Sequence, residues 1–205
     1  MTPSDLLRGD ERLIAELIPR GARVLDLGCG DGALLARLRD DRDARVRGVE
    51  IDLANVAGCV ARGLPVIQAD IDAGLPFFAD GSFDVVVLSQ TMQVVKRPRA
   101  VLEEMLRVGE RCVASFPNFA HWRNRAYLAL HGRMPMSRTI PYAWYDTPNI
   151  HHTTMRDFRD FCDDVGGVVE REIPLVSDAN GRPARVQTLW PELLADSAVF
   201  VVTRG

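Results

Sequence analysis

The chain has 205 residues, 47% of them hydrophobic and 26% charged, with a formal net charge of −3. That length suits about one domain with a sizeable core, and the charge carries no global nucleic-acid signature. No apolar run approaches the roughly 20 residues a membrane helix needs, and the polar, acid-bearing start from Met1 to Asp10 does not read as a signal peptide, so the expected location is the cytoplasm, with no membrane partner.

Residues 4–18 carry helical spacing, with Leu6, Leu7, Leu13, Ile14, Leu17 and Ile18 on one face, and Pro19-Arg20-Gly21 stops the pattern. The stretch Val24-Leu25-Asp26-Leu27-Gly28-Cys29-Gly30-Asp31-Gly32 then runs from a short apolar strand ending in an acid into a glycine turn. A helical pattern follows at once, from Ala33 to Leu38. Glycine lets a backbone approach a ligand closely, because no Cβ blocks it. The spacing is G-x-G-x-G, not the G-x-G-x-x-G that seats a pyrophosphate on a helix N-terminus. A second apolar run, Val46 to Val49, closes on Glu50, and a carboxylate there can accept from both hydroxyls of a ribose. Together these features predict a nucleoside site whose ligand carries no phosphates, a description that S-adenosylmethionine fits.

Seven strand-like runs follow the first helix: 23–27, 46–50, 65–69, 83–88, 111–116, 168–175 and 198–203. Helical patterns separate the first six, and only a loop, Ser177 to Ala195, separates the last pair. Short apolar strands alternating with helices predict an α/β fold, Rossmann-like, with a seven-stranded mostly parallel sheet, an antiparallel edge and helices on both faces. One domain over 1–205 is expected, with an ordered insertion at about 117–150. That insertion holds four prolines and the rings of Trp122, Trp144 and Tyr145, and it is too apolar for a disordered linker. It follows strand five, so it lies at the carboxyl edge of the sheet, where ligands bind, and either covers the site or meets a partner. Cys29, Cys59, Cys112 and Cys162 are far apart with no C-x-x-C pair, which argues against zinc and for a reduced compartment.

Candidate functional residues cluster at strand ends. Asp26 either orients a ligand ammonium, directly or through water, or caps the glycine turn. Asp70, in Gln68-Ala69-Asp70-Ile71-Asp72, is placed to accept from an adenine amino group while the Ile71 N–H reaches a ring nitrogen; Asp72 is the alternative. Ser89-Gln90-Thr91-Met92-Gln93 either closes the cofactor pocket or is an ordinary strand-to-helix cap. Thr153 or Thr154, with Asp157, caps a helix starting near Met155. His151 and His152 read as acid–base groups, metal ligands or a hydrogen-bonded loop element, and His121, Trp122, Arg123 and Arg125 form a basic aromatic cluster. No metal motif stands out and no residue is marked as catalytic. A methyl transfer needs none, because the sulfonium is already activated and positioning supplies much of the rate.

Residues 22–90 resemble the class I S-adenosylmethionine-dependent methyltransferase superfamily through Val24 to Gly32, Gly48-Val49-Glu50-Ile51-Asp52 and Asp70-Ile71. Further segments narrow this: Leu88 to Gln93, Glu103-Glu104-Met105-Leu106-Arg107-Val108-Gly109, Ser115 to Arg123, Gly132-Arg133-Met134-Pro135 and Pro141 to His151. Over residues 10–175 the chain is similar to the methionine biosynthesis protein MetW family. The resemblance implies a cofactor site built from Asp26, Gly28, Cys29, Gly30, Glu50, Ile51, Asp70, Ile71 and Ser89, holding S-adenosylmethionine or S-adenosylhomocysteine. It also implies a partner, a homoserine O-acyltransferase of the α/β-hydrolase type, which the family assists or regulates. The alternative it leaves open is an active methyltransferase with a small-molecule or protein acceptor.

Overall fold

Apolar residues alternate along the strand runs, and in the computed structural model, which describes residues 9–137, 139–176 and 185–205, they are sorted onto two faces of one sheet. The strands are β1 (Arg23–Leu27), β2 (Arg45–Glu50), β3 (Val66–Gln68), β4 (Phe83–Ser89), β5 (Gly109–Pro117), β6 (Gly167–Val176), β7 (Arg185–Val186) and β8 (Ser197–Arg204). The helices are α1 (Gly9–Leu17), α2 (Ala33–Arg42), α3 (Leu53–Ala61), α4 (Pro98–Val108), α5 (Trp122–His131), α6 (Met155–Asp164) and α7 (Pro191–Leu194). Val24, Val85, Val87, Val113 and Val201 point to the face covered by α1 and α2. Their neighbours Leu25, Val86, Cys112, Phe200 and Val202 point to the other, under α4 and α6. Period-two side chains feeding two helical layers are what a buried sheet requires.

The sheet order is β3-β2-β1-β4-β5-β8-β6-β7. The first five strands pair in parallel, and β8 runs antiparallel to both of its neighbours, β5 and β6. Two details differ from the expectation, the strand count and the connection after β3. The sheet has an eighth strand, β7, whose two residues are too few to show any alternation. The expected antiparallel edge is present: β8 lies between β5 and β6 and runs antiparallel to both, with Val113 opposite Val201 and Ile173 opposite Val199. Between β3 and β4 there is no α-helix, only a 3-10 turn at Ile71–Ala73, because Gly74 turns the backbone left-handed (φ 89°) and Pro76 cannot donate to a continuing helix. Of the loop expected at Ser177 to Ala195, residues 177–184 lie outside the described residues, as do residues 4–8 of the first helical pattern; Ala195 follows α7.

Order at the top of the sheet rests on the packing below it. Phe116 of β5, Phe158 of α6 and Phe200 of β8 form a buried ring cluster, with centroids 4.7 Å (Phe116–Phe158), 4.8 Å (Phe158–Phe200) and 5.5 Å (Phe116–Phe200) apart. It joins the inserted strand to the parallel half of the sheet. Phe200→Ala is expected to destabilise the protein by about 3–5 kcal/mol, the usual cost of emptying a buried aromatic site. Urea unfolding followed by circular dichroism measures it, and a loss below about 1 kcal/mol would mean that the ring cluster does not carry the β8 junction.

Candidate functional site

The glycine loop folds as its spacing demands. Gly28 and Gly30 both sit in the left-handed region, at φ 69° and 56°. A Cβ added at Gly28 would lie 2.8 Å from Thr91 Oγ1, whereas one added at Gly30 would meet nothing within 4 Å. Gly28 is therefore a close crossing of two loops, and Gly30 presents bare backbone to open space. The loop is tied to β2 by its amides: Gly28 N–H donates to Val49 O at 2.8 Å and Gly30 N–H to Glu50 Oε2 at 2.8 Å. The other Glu50 oxygen, Oε1, accepts from the N–H groups of Ile51 and Asp52, both at 2.9 Å. Glu50 is 7% exposed, and three backbone amides hold its carboxylate. A carboxylate has about four acceptor sites, so one remains for an incoming donor.

Two cavities meet at this crossing. One, of about 320 Å³, lies between Glu50, Ile51, Asp70 and Ile71 on one side and Thr91, Val94 and Lys96 on the other. The second, of about 390 Å³, is lined by Asp26, Cys29, Gly30, Ser89 and Gln90, with Glu11 of α1 closing it. Gly28 and Thr91 belong to both walls. All nine residues expected at a cofactor site thus line one or other of two adjoining cavities. Asp26 is buried at 3% exposure, while Ile51, at 62%, forms an open rim. Asp70 also caps the 3-10 turn, accepting from Asp72 N–H at 2.9 Å.

Several residues of the site carried no signal in the sequence. Asp10 of α1 accepts from Ser115 Oγ at 2.8 Å, Gln90 Nε2 at 3.1 Å and Ser89 Oγ at 3.4 Å. It fastens the first helix over the carboxyl ends of β4 and β5. At the far end of the same loop, Asp72 accepts from the N–H groups of Lys96, at 2.9 Å, and Arg97, at 2.8 Å. Asp72 lines the same cavity as Asp70, but its carboxylate is engaged in holding the loop. The segment from Ser89 to Arg97 is therefore pinned at both ends by carboxylates.

Cys29 and Cys59 bring their sulfurs to 3.9 Å beneath the glycine loop, and Cys59 Sγ–H donates to Gly30 O at 3.3 Å. Burial, reinforced by the negative charge of Asp26, pushes the Cys29 thiol well above its ordinary range, so it stays protonated. Burial raises the Cys59 thiol as well. Both act as small apolar groups packing the loop from below.

The members of the basic aromatic cluster make local contacts. His121 Nδ1 caps α5 by accepting from Arg123 N–H at 3.4 Å, and burial lowers its pKa, keeping the imidazole neutral. Arg125 turns inward to donate to Ala120 O at 2.6 Å, and Arg123 lies 5.5 Å from the Trp122 ring centroid. Thr154, not Thr153, caps α6, in a reciprocal capping box with Asp157. Every Trp and Tyr of the chain stands at the surface, from Tyr127 at 41% exposed to Trp144 at 72% and Tyr145 at 77%. The rings of 122–145 therefore do not build a local core. Buried Asn118, Asn124 and Ile140 anchor that stretch instead.

Comparison with known proteins agrees with this geometry. The profile described as "Methionine biosynthesis protein MetW" matches residues 8–202. The bifunctional methionine biosynthesis protein MetXA/MetW of Rhodopirellula baltica is 39% identical over 98% of this chain, which spans only 34% of that relative's length. Among solved structures, a SAM-dependent methyltransferase from Thermotoga maritima superposes with a TM-score of 0.72 at 17% identity, covering 95% of this chain and 87% of that one. The magnesium protoporphyrin IX methyltransferase of Synechocystis, solved with bound SAH, gives 0.65 at 17% identity, covering 98% and 86%. These likenesses show a class I methyltransferase fold.

The loop crossing makes a direct prediction. Gly28→Ala and Gly30→Ala both place an L-residue in the left-handed region, at a cost of about 1–2 kcal/mol. Gly28→Ala adds the collision with Thr91, so it is expected to lose clearly more stability in urea titrations, and Thr91→Ala introduced beside it to restore part of the loss. Equal losses at the two glycines would contradict a tight crossing.

Proposed function

The chain belongs to the methionine biosynthesis protein MetW family, and from that premise we propose that it binds S-adenosylmethionine or S-adenosylhomocysteine across the paired cavities and thereby assists or regulates a homoserine O-acyltransferase. The observation that carries the ligand reading is the division of the site at Gly28, with acids on both sides: Glu50 and Asp70 toward one cavity, Asp26 toward the other. A two-part ligand with a ribose and a base at one end and an ammonium at the other matches that distribution. Glu50 would offer its remaining acceptor site to a ribose hydroxyl, and Asp70 would accept from an adenine amino group beside the Ile71 N–H. Asp26 would hold the ammonium, Ser89 and Cys29 would complete the wall around it, and Ile51 would cover the ribose edge. When bound, S-adenosylmethionine supplies an activated sulfonium methyl group.

The partner reading draws on a different observation. The R. baltica relative is a bifunctional MetXA/MetW protein, and this chain matches about a third of it. Fusion places two units together permanently, and separate chains would need a surface to do the same. In our reading the chain is one methyltransferase-like unit whose insertion at 117–150 docks on the acyltransferase. Exposed Trp122, Trp144 and Tyr145 supply large rings of the kind that dominate interface energetics, and Arg123 sits beside Trp122. The fold itself favours a second reading, transfer of the methyl group to an acceptor. Release of labelled methyl from S-adenosylmethionine in a cell extract would favour that reading; ligand-dependent co-purification with the acyltransferase favours the first.

Two measurements test the main reading. Calorimetry is expected to show S-adenosylhomocysteine binding more tightly than NAD, and Glu50→Gln to weaken it by roughly 1.5–3 kcal/mol, about tenfold or more. The Gln amide would also place a donor against the Gly30 N–H, so hydrogen exchange at Gly30 should quicken. Tighter binding to NAD than to either adenosyl ligand would reject the site. For the partner, Trp144→Ala is expected to leave thermal unfolding unchanged and to weaken the acyltransferase complex by ~2 kcal/mol. An unchanged complex would move the docking surface off the insertion.

A further inference from the structure

A third cavity lies on the other side of the loop that follows β4. It has a volume of about 320 Å³ and shares no lining residue with the two cavities around Gly28. Met92, Ile150, Phe158 and Phe161 give it an apolar end, while His151, Thr153 and Asp157 give it a polar one. That volume sits at the small end of ligand pockets, enough for a molecule of amino-acid size but not for a nucleotide cofactor.

The polar end has unmet hydrogen-bonding capacity. The His151 Nε2 atom is buried without a hydrogen-bond partner, and so is Oε1 of Gln93. Gln93 is 8% exposed; its backbone carbonyl accepts from the N–H groups of Ile150 at 2.9 Å and His151 at 3.1 Å, and its Nε2 donates to Gln90 O. Gln93 lines not this cavity but a narrow adjoining gap, which shares His151, His152 and Thr153 with it. Buried polar atoms cost stability unless something satisfies them, and they mark places built for a ligand group. Asp157 adds a charge: its Oδ2 serves the Thr154 cap, at 2.7 Å from Thr154 Oγ1 and 3.2 Å from Thr154 N. The other carboxylate oxygen stays available to a cation.

We infer that this cavity is a binding site for a free α-amino acid with an unbranched apolar side chain, of the size and character of L-methionine. The His151 imidazole, as an N–H donor, pairs with the ligand carboxylate. Asp157 accepts from its ammonium. A linear thioether or alkyl chain fills the space between Met92, Ile150 and the two phenylalanine rings, where sulfur gains from contact with aromatic edges. The site stands on its own lining and does not depend on what occupies the Gly28 cavities.

Titration calorimetry of the full chain with L-methionine tests it. Saturable binding is expected, similar for L-norleucine and at least tenfold weaker for N-acetyl-L-methionine, which lacks the ammonium, and for L-methionine amide, which lacks the carboxylate. Asp157→Asn keeps an acceptor for the helix cap but removes the charge, and His151→Phe removes an imidazole whose buried nitrogen has no protein partner. Each is expected to fold and to lose at least tenfold in affinity. Phe161→Trp, which fills the apolar end, is expected to abolish binding while retaining the native circular dichroism spectrum. The inference is overturned if L-methionine does not bind, if N-acetylation leaves affinity unchanged, or if binding survives intact in folded Asp157→Asn and Phe161→Trp.

Discussion

Three backbone amides converge on the carboxylate of Glu50, and the geometry of the whole carboxyl edge follows from that convergence. The Ile51 and Asp52 N–H groups fix where β2 turns into α3, and the Gly30 N–H fixes how far the glycine loop can stand from β2. An acid at this position is thus a construction element before it is a ligand group. It holds the loop open without occupying the space in front of it. The same amides would otherwise point, unpaired, into a partly buried cleft, at a cost comparable to a lost hydrogen bond each.

The opposite wall is built by the same device. Asp10 and Asp72 grip the two ends of the segment after β4, one from a helix and one from the turn after β3. Between them the chain is free to pass close over Gly28 and to offer one face to the Gly28 cavities and the other to the cavity under Ile150. Asp72 accepts from backbone amides and Asp10 from side-chain hydroxyls and an amide, and charge-assisted bonds of both kinds are strong ties. Four acids, Asp10, Glu50, Asp70 and Asp72, therefore shape a site whose cavity walls also carry Asp26. The large rings have no part in this framework, and their exposure is the reason to look for their purpose outside the chain.

What could be read in advance was whatever lies close along the chain. Val24 to Gly32 states strand, acid and turn in nine consecutive residues, and the left-handed angles at Gly28 and Gly30 meet that reading directly. The Thr154–Asp157 capping box spans three positions and was visible for the same reason. Asp10 was not, because it meets Ser89 across 79 positions and Ser115 across 105, and a lone acid in a helical pattern carries no mark of such a contact. Asp72 read as a weaker alternative to Asp70 because sequence alone does not show which of two neighbouring acids is already occupied by loop amides. The antiparallel edge was legible, but the order of strands within it was not, because hydrophobic alternation tells which face a residue occupies, not which strand lies beside it. Gly74 and Pro76, which end the turn after β3 at three residues, were legible and outweighed the helical reading placed there.

The insertion of β8 between β5 and β6 sets an order of events. Each of the parallel pairings from β1 to β5 has both of its strands available once β5 has emerged during synthesis. β6 is different: its only route into the sheet is through β8, which comes after it in the chain. Until β8 is made, the Phe116 and Phe158 rings lack their third member, and both β5 and β6 present unpaired amide edges to the surrounding water. Completion of the sheet is therefore a single late closure, in which one strand zips two waiting edges together at once. Such edges are templates for pairing with other chains, so the interval between β6 and β8 is when a nascent chain of this kind has most need of a chaperone.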